Sequence, residues 1–298
     1  MLNKSLNLVS DNITYDLEDS VTPTMKPKAR ALLKSHLDQL QSRPSGMREL
    51  AVRINAISTP FALDDLTTHA SAPIVDAVVV PKVQSAGDLT FVTDVLRHVA
   101  PHRHAEGSKN PIKIIALIES AKAIMDLSSI CKASPYLSGL IFAAEDFALD
   151  LSITRTPSLA EFMYARSAIV TAARAAELPS AIDLVCTEFQ GASAIKTLEE
   201  ECKGGKTMGF NGKQVIHPSQ VEHVQRIFGP READVEWAVR IAIADEKAAN
   251  SGRGAWGMDG KMVDAPVVGQ AKAIVRKAEL CGFDVEGLRS KWTHQEPE

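Results

Sequence analysis

Ile114-Ile-Ala-Leu-Ile-Glu119 is a run of five apolar residues closed by a carboxylate. Further along, Leu140-Ile-Phe-Ala-Ala-Glu-Asp146 repeats the pattern, followed by Ala181-Ile-Asp-Leu-Val-Cys186 and Lys213-Gln-Val-Ile-His217. Upstream lie Ala77-Val-Val-Val-Pro-Lys82, Leu50-Ala-Val-Arg-Ile-Asn55 and Ile13-Thr-Tyr-Asp-Leu-Glu-Asp19. These seven runs start 26 to 41 residues apart, and a helix-patterned segment follows nearly every one. Strands that read as unbroken apolar runs are covered on both faces, as in a parallel sheet wrapped by helices. Such folds do their chemistry at the carboxyl ends of the strands, where these polar residues gather.

The helices expected between the strands run from Lys28 to Gln41, Ser85 to Val99, Ser120 to Ile130, Ser158 to Glu177, Ala192 to Cys202 and Ser219 to Phe228, with Ser120 and Ser219 as N-caps. Pro111, Pro179 and the Gly204-Gly205 pair punctuate loops. The fold class is therefore α/β, a TIM (β/α)₈-type barrel in residues 1–228. A closed barrel has eight strands. The chain is expected to open in a helix, with Leu2, Leu6 and Val9 at helical spacing, so strand one is missing and would lie upstream of Met1. Residues 229–298 form a C-terminal helical extension: a helix through Val235, Ala238, Val239 and Ala242, a Gly-rich loop over 252–260, a last helix from about Val267 to Cys281, and a polar, mobile tail beyond Leu288.

Composition narrows the function. The 298 residues are 45% apolar and carry a net charge of −4, which with no basic stripe argues against nucleic acid as a partner. No apolar stretch reaches the roughly 18–20 residues of a membrane span. Met1–Val9 reads as neither a signal peptide nor an Arg-rich transit peptide. The four cysteines show no short metal-type pairing, which fits a reducing compartment.

Glu119 and Asp146, at adjacent strand ends, suit a hard divalent ion such as Mg²⁺, which takes one or two carboxylates and leaves positions for substrate oxygens; both could instead serve the caps of the following helices. Glu18 and Asp19 could order metal-bound water or cap a helix near Lys26. Arg53, inside Val52-Arg-Ile54, either clamps a substrate carboxylate in bidentate fashion or pairs internally with Asp16 or Glu18. Lys82 is a further strand-end cation, a weak signal by itself. His217 at the last strand reads as structural, and 204–212 as a flexible connection that is not a Walker A loop. Asp264, alone, reads as a helix cap.

Taken together, Tyr15-Asp-Leu-Glu-Asp-Ser-Val21 with Lys26 and Arg30, Val52-Arg-Ile-Asn55, Val80-Pro-Lys-Val83, Leu117-Ile-Glu-Ser120, Phe142-Ala-Ala-Glu-Asp-Phe147, Ala181-Ile-Asp-Leu-Val185 and Gly209-Phe-Asn-Gly-Lys-Gln-Val-Ile-His-Pro218 resemble the HpcH/HpaI aldolase and citrate lyase beta-subunit family. Gly260-Lys-Met-Val-Asp-Ala-Pro266 looks most like its eukaryotic mitochondrial citrate lyase beta-like members. The resemblance implies a homotrimeric, Mg²⁺-dependent carbon–carbon lyase that cleaves citramalyl-CoA or a close relative such as malyl-CoA, with malate-synthase-type activity in reverse. Acyl-CoA and a pyruvate-like 2-oxo acid would be its substrates, in mitochondria by resemblance, with the cytoplasm as the alternative for a chain that shows no targeting segment. By position, Glu119 and Asp146 would hold the metal, Arg53 with Lys82 the substrate, and Glu18 and Asp19 outer positions. Asp264 would be the acid/base, delivered to a neighbouring subunit's site. The family begins with a strand of the form Leu-Tyr/Phe-Val-Pro-Gly that this chain lacks, so the alternative is a catalytically inactive member serving as a binding or assembly subunit.

Overall fold

The seven apolar runs form one sheet. The computed structural model describes residues 2–298 as two compact units, 2–224 and 225–298. In the first, β1 (Ser10–Asp16), β2 (Met47–Arg53), β3 (Ala77–Val80), β4 (Lys113–Ile118), β5 (Leu137–Phe142), β6 (Ser180–Asp183) and β7 (Gly212–Lys213) lie side by side in chain order, all parallel. This is an α/β barrel of the TIM type with seven of eight strands, and β1 and β7 are its two edges.

The alternation along each strand sorts side chains to two faces. Tyr15, Leu50 and Val52 pack outward with Leu33 and Leu37 of the helix Lys26–Gln39. Ala51, Val79, Leu117 and Ile141 meet on the opposite face, in a cluster built of sheet residues. Arg53, two residues after Ala51, shares that inner face and sits opposite Asp16 in the β1–β2 register.

Several local expectations need correction. The last strand is two residues long rather than five, and beyond it Pro218 opens a short 3₁₀ turn. There the Gln220 side chain accepts from the Ile216 N–H at 3.0 Å, bonding that a ladder would otherwise supply. Ser219 lies within that turn, and His217 is its cap. Ser120 does cap its helix, accepting from the Ala123 N–H, but the helix breaks at Asp126 into Ala121–Met125 and Leu127–Ile130. Ser85 closes a capping box with Asp88. A helix at Ala62–His69 was not anticipated.

Gly204-Gly205 is not a loop. The helix Ala194–Met208 runs through it and ends on Gly209, in the left-handed conformation at φ 100°. Gly205 is glycine for space: a Cβ there would stand 2.3 Å from Asp183 Oδ2. Asp183 in turn receives a two-pronged bond from Arg166, at 3.0 and 2.6 Å, and both side chains are buried.

In the second unit, Glu232–Asn250, Ala265–Leu280 and Val285–Lys291 are helical and share a core with Trp256, Met258 and Val263. Where a Gly-rich loop was expected, β8 (Trp256–Met258) and β9 (Lys261–Val263) make an antiparallel hairpin. Asp259-Gly260 turns it, both residues left-handed, which is the Asp-Gly signature of a two-residue hairpin loop. The expected mobile tail carries the helix Val285–Lys291, and Glu298 exchanges backbone hydrogen bonds with Gly257. No described helix is long and apolar enough to cross a membrane.

Candidate active site

The segments that follow β1, β4 and β5 converge on Lys82. It follows β3 through Pro81 and adopts φ 51°, a left-handed conformation that costs a non-glycine residue about 1–2 kcal/mol. The turn aims its two ends differently. The backbone N–H donates to Glu119 Oε1 at 3.2 Å, while Nζ donates to Glu18 Oε1 at 2.9 Å. The same ammonium lies 3.8 Å from Asp19 and 3.8 Å from Asp146. One residue thus touches the loops after β1, β4 and β5.

Arg53 stands beside this group. Its Nε and Nη2 donate to the two oxygens of Asp16, each at 2.7 Å, and Nη1 lies 3.2 Å from Glu18 and 3.7 Å from Asp19. The internal pair weighed from the sequence is therefore present, and Nη1 is the part of the guanidinium turned to the acidic group. Asp16 also accepts from the backbone N–H groups of Glu18 and Ser20, so it fixes the turn that carries Glu18 and Asp19. Lys26 fixes it from the other side, donating to the carbonyls of Leu17 and Glu18 at 3.0 and 2.9 Å.

The electrostatics follow from this packing. Burial raises the Glu119 carboxyl to about 7, with the Asp146 and Glu18 charges adding to the rise and the Lys82 N–H opposing it. Burial likewise raises Glu18, against the pull of Lys82 and Arg53. Burial would raise Asp16 too, but hydrogen bonds and charge from Arg53 override it and hold the carboxyl at about 2. Lys82 is held up at about 12 by Glu18 and its acidic neighbours despite burial. The region concentrates negative charge that a cation would relieve.

The donor chemistry fits Mg²⁺. Glu119 is 5% exposed, and the Lys82 N–H is the hydrogen bond that reaches its carboxylate. Asp146 is half-exposed in the first turn of the helix Ala144–Leu151, not at the strand end as expected, because β5 stops at Phe142. Among the described residues no three His, Cys, Asp or Glu side chains form a ready-made cage. A pair of carboxylates with room for water and substrate oxygens is the arrangement Mg²⁺ favours.

Asp264 belongs to the second unit, where its side chain accepts from the Val267 N–H at 3.3 Å and caps the helix Ala265–Leu280. The cap read from the isolated aspartate is present.

Comparison with known proteins identifies the family. Residues 1–218 match the family model described as HpcH/HpaI aldolase/citrate lyase. The chain belongs to that family. Aldolases and citrate lyases make or break carbon–carbon bonds, so the expected enzyme class, a carbon–carbon lyase, stands. Among family relatives, the citrate lyase subunit beta of Haemophilus influenzae is 35% identical over 94% of this chain and 92% of its own length. The mitochondrial citramalyl-CoA lyase of Homo sapiens is 31% identical over 92% of this chain and 80% of its own. Among solved structures, Mycobacterium tuberculosis CitE in complex with magnesium, acetoacetate and coenzyme A superposes with a TM-score of 0.68 at 29% identity, covering 89% of each chain.

Two anchoring residues carry no functional signal in the sequence. Lys26 stands within a motif and holds the turn of Glu18 and Asp19, and Arg155 binds Glu145, the neighbour of Asp146. Its segment, Ile153-Thr-Arg-Thr-Pro157, carries no periodic signal.

Proposed function

We propose that this protein is a Mg²⁺-dependent lyase that cleaves citramalyl-CoA, or a close 3-hydroxyacyl-CoA such as malyl-CoA, to acetyl-CoA and a 2-oxo acid. The observation that carries this reading is the convergence of Glu18, Asp19 and Asp146 on the Lys82 ammonium, with the buried Glu119 on its backbone N–H and Arg53 alongside. Support comes from the relative crystallised with magnesium, acetoacetate and coenzyme A.

In this reading Glu119 and Asp146 hold the ion, which when bound polarises the substrate's carboxylate and hydroxyl oxygens. Arg53 Nη1 and Lys82 Nζ grip the carboxylate that becomes the 2-oxo acid. Glu18 and Asp19, tied by Lys82 and Arg53, orient water at the site's edge. The carbon–carbon bond pair passes to the thioester α-carbon as the tertiary hydroxyl gives its proton to solvent water and becomes the keto oxygen, so that one proton leaves oxygen for each one that reaches carbon. Asp264, delivered by the C-terminal segment to a neighbouring subunit's site, supplies the proton that this α-carbon takes up, and removes it in the synthase direction.

Purified protein incubated with citramalyl-CoA and Mg²⁺ releases pyruvate and acetyl-CoA on this reading. Folded, metal-loaded protein that binds coenzyme A and releases neither product overturns it in favour of an inactive binding subunit. A methyl against a hydrogen is worth only about 1–3 kcal/mol in an apolar pocket, so malyl-CoA is the proper competitor substrate.

A further inference from the structure

Arg155 ties together the connections that follow β5 and β6. Its Nη1 donates to Glu145 Oε1 at 2.5 Å, in the first turn of the helix Ala144–Leu151 and directly before Asp146. Its Nη2 donates to Glu201 Oε1 at 2.5 Å and to the carbonyl of Val185, just past β6, at 3.1 Å. Glu201 is anchored by its other oxygen, which accepts from Lys213 Nζ of β7 at 2.8 Å. The Lys213 side chain is fully buried, and that of Glu201 is 7% exposed. The chain Lys213–Glu201–Arg155–Glu145 therefore runs from the interior of the fold to the turn carrying Asp146.

This arrangement does something packing alone does not. The helix Ala144–Leu151 has no side-chain cap at its start, and Asp146 itself is half-exposed. A planar guanidinium reaching two carboxylates in fixed directions holds that first turn in register with β6 and β7. A carboxylate that must meet an ion within a few tenths of an ångström needs such support, and groups behind a metal ligand typically change affinity 10–100-fold.

We infer that Arg155 is a positioning residue for Asp146, setting the magnesium affinity of the site through Glu145 without touching ion or substrate. The inference rests on Asp146 being a magnesium ligand, and charge provides the discriminating sign. Deleting a cation near an acidic site should by Coulomb attraction alone tighten Mg²⁺ binding. Loss of positioning should weaken it.

The experiment is calorimetric titration of Mg²⁺ into wild type, Asp146→Asn, Arg155→Met and Arg155→Lys, each first shown by thermal melting to be folded. Asp146→Asn is expected to weaken binding by more than tenfold and Arg155→Met by about tenfold. Arg155→Lys, which keeps the charge but reaches only one partner, should weaken it several-fold. Unchanged or tighter binding in folded Arg155→Met, alongside weakened Asp146→Asn, overturns the role of Arg155 alone. Unaltered binding in Asp146→Asn overturns the ligand assignment and this inference with it. Should Arg155→Met melt below the working temperature, Arg155→Lys decides: weaker binding supports the inference, and wild-type binding overturns it.

Discussion

The backbone N–H of Lys82 and the carboxylate of Glu119 are joined at 3.2 Å because Lys82 is left-handed, while its ammonium serves Glu18 on the other side. Backbone and side chain can be separated by mutation. Lys82→Gly and Lys82→Ala both lose the ammonium and keep the N–H, but only alanine bears the left-handed cost. Urea denaturation should find the alanine variant less stable than the glycine variant by about 1 kcal/mol. Equal stabilities would mean that the turn relaxes.

Arg53 spends a planar fork on Asp16 and turns Nη1 to the acidic group. Lysine cannot do both. Arg53→Lys should raise KM for the 2-oxo acid in the synthase direction by about tenfold, with a smaller change in kcat. An unchanged KM would remove Arg53 from substrate binding and leave it as the internal partner of Asp16.

Asp264 combines a cap with the proposed proton transfer. Asparagine caps as well as aspartate, whereas alanine loses about 1 kcal/mol. Asp264→Asn should therefore melt like wild type and yet lose lyase activity, and Asp264→Ala should lose both. Full activity in Asp264→Asn would leave the residue as a cap only.

His69 is 1% exposed, and neither ring nitrogen has a hydrogen-bond partner. Burial lowers it from 6.5 to about 4. Between those values the unfolded chain binds a proton that the folded chain does not, so stability falls as pH drops below about 6.5. The contribution reaches roughly 3 kcal/mol by pH 4. Chemical denaturation across pH 4–7 should show a steeper acid loss in wild type than in His69→Leu, and parallel curves would exclude His69 as the cause.

Gly205→Ala sets helix propensity against space. Alanine would gain about 1 kcal/mol in an open helix. Here its Cβ would meet Asp183 Oδ2 and disturb the Arg166–Asp183 pair, and breaking a buried pair costs about 3–5 kcal/mol. The variant should unfold at lower denaturant, by 2 kcal/mol or more.

Where the sequence was legible, the physics was local. Apolar runs such as Ile114–Ile118, repeated at strand–helix spacing, read as covered strands, and Ser120 caps because its side chain reaches the Ala123 N–H. Glu119 was legible as a strand-end residue, Asp146 was expected at a strand end and lies in the helix beyond it, and the relations among the acids were not legible. The left-handed Lys82 and the reach of Arg155 to Glu201 depend on how distant loops meet. Gly205 misled because close approach and flexibility use the same residue. The Asp259-Gly260 hairpin signal was present but hidden by surrounding glycines.

The sheet's order has a dynamic consequence. β4 is flanked by three strands on either side, whereas β1 and β7 each have one neighbour. Amide protons should therefore exchange slowest around Ile115 and Leu117 and progressively faster toward both margins. Glu119 hangs from the slow centre and Glu18 from a fast margin, and Lys82 bridges them. A ligand gripping both would lend the centre's rigidity to the margin, so occupancy of the site becomes readable as slowed exchange in β1, a strand far from Glu119 in sequence.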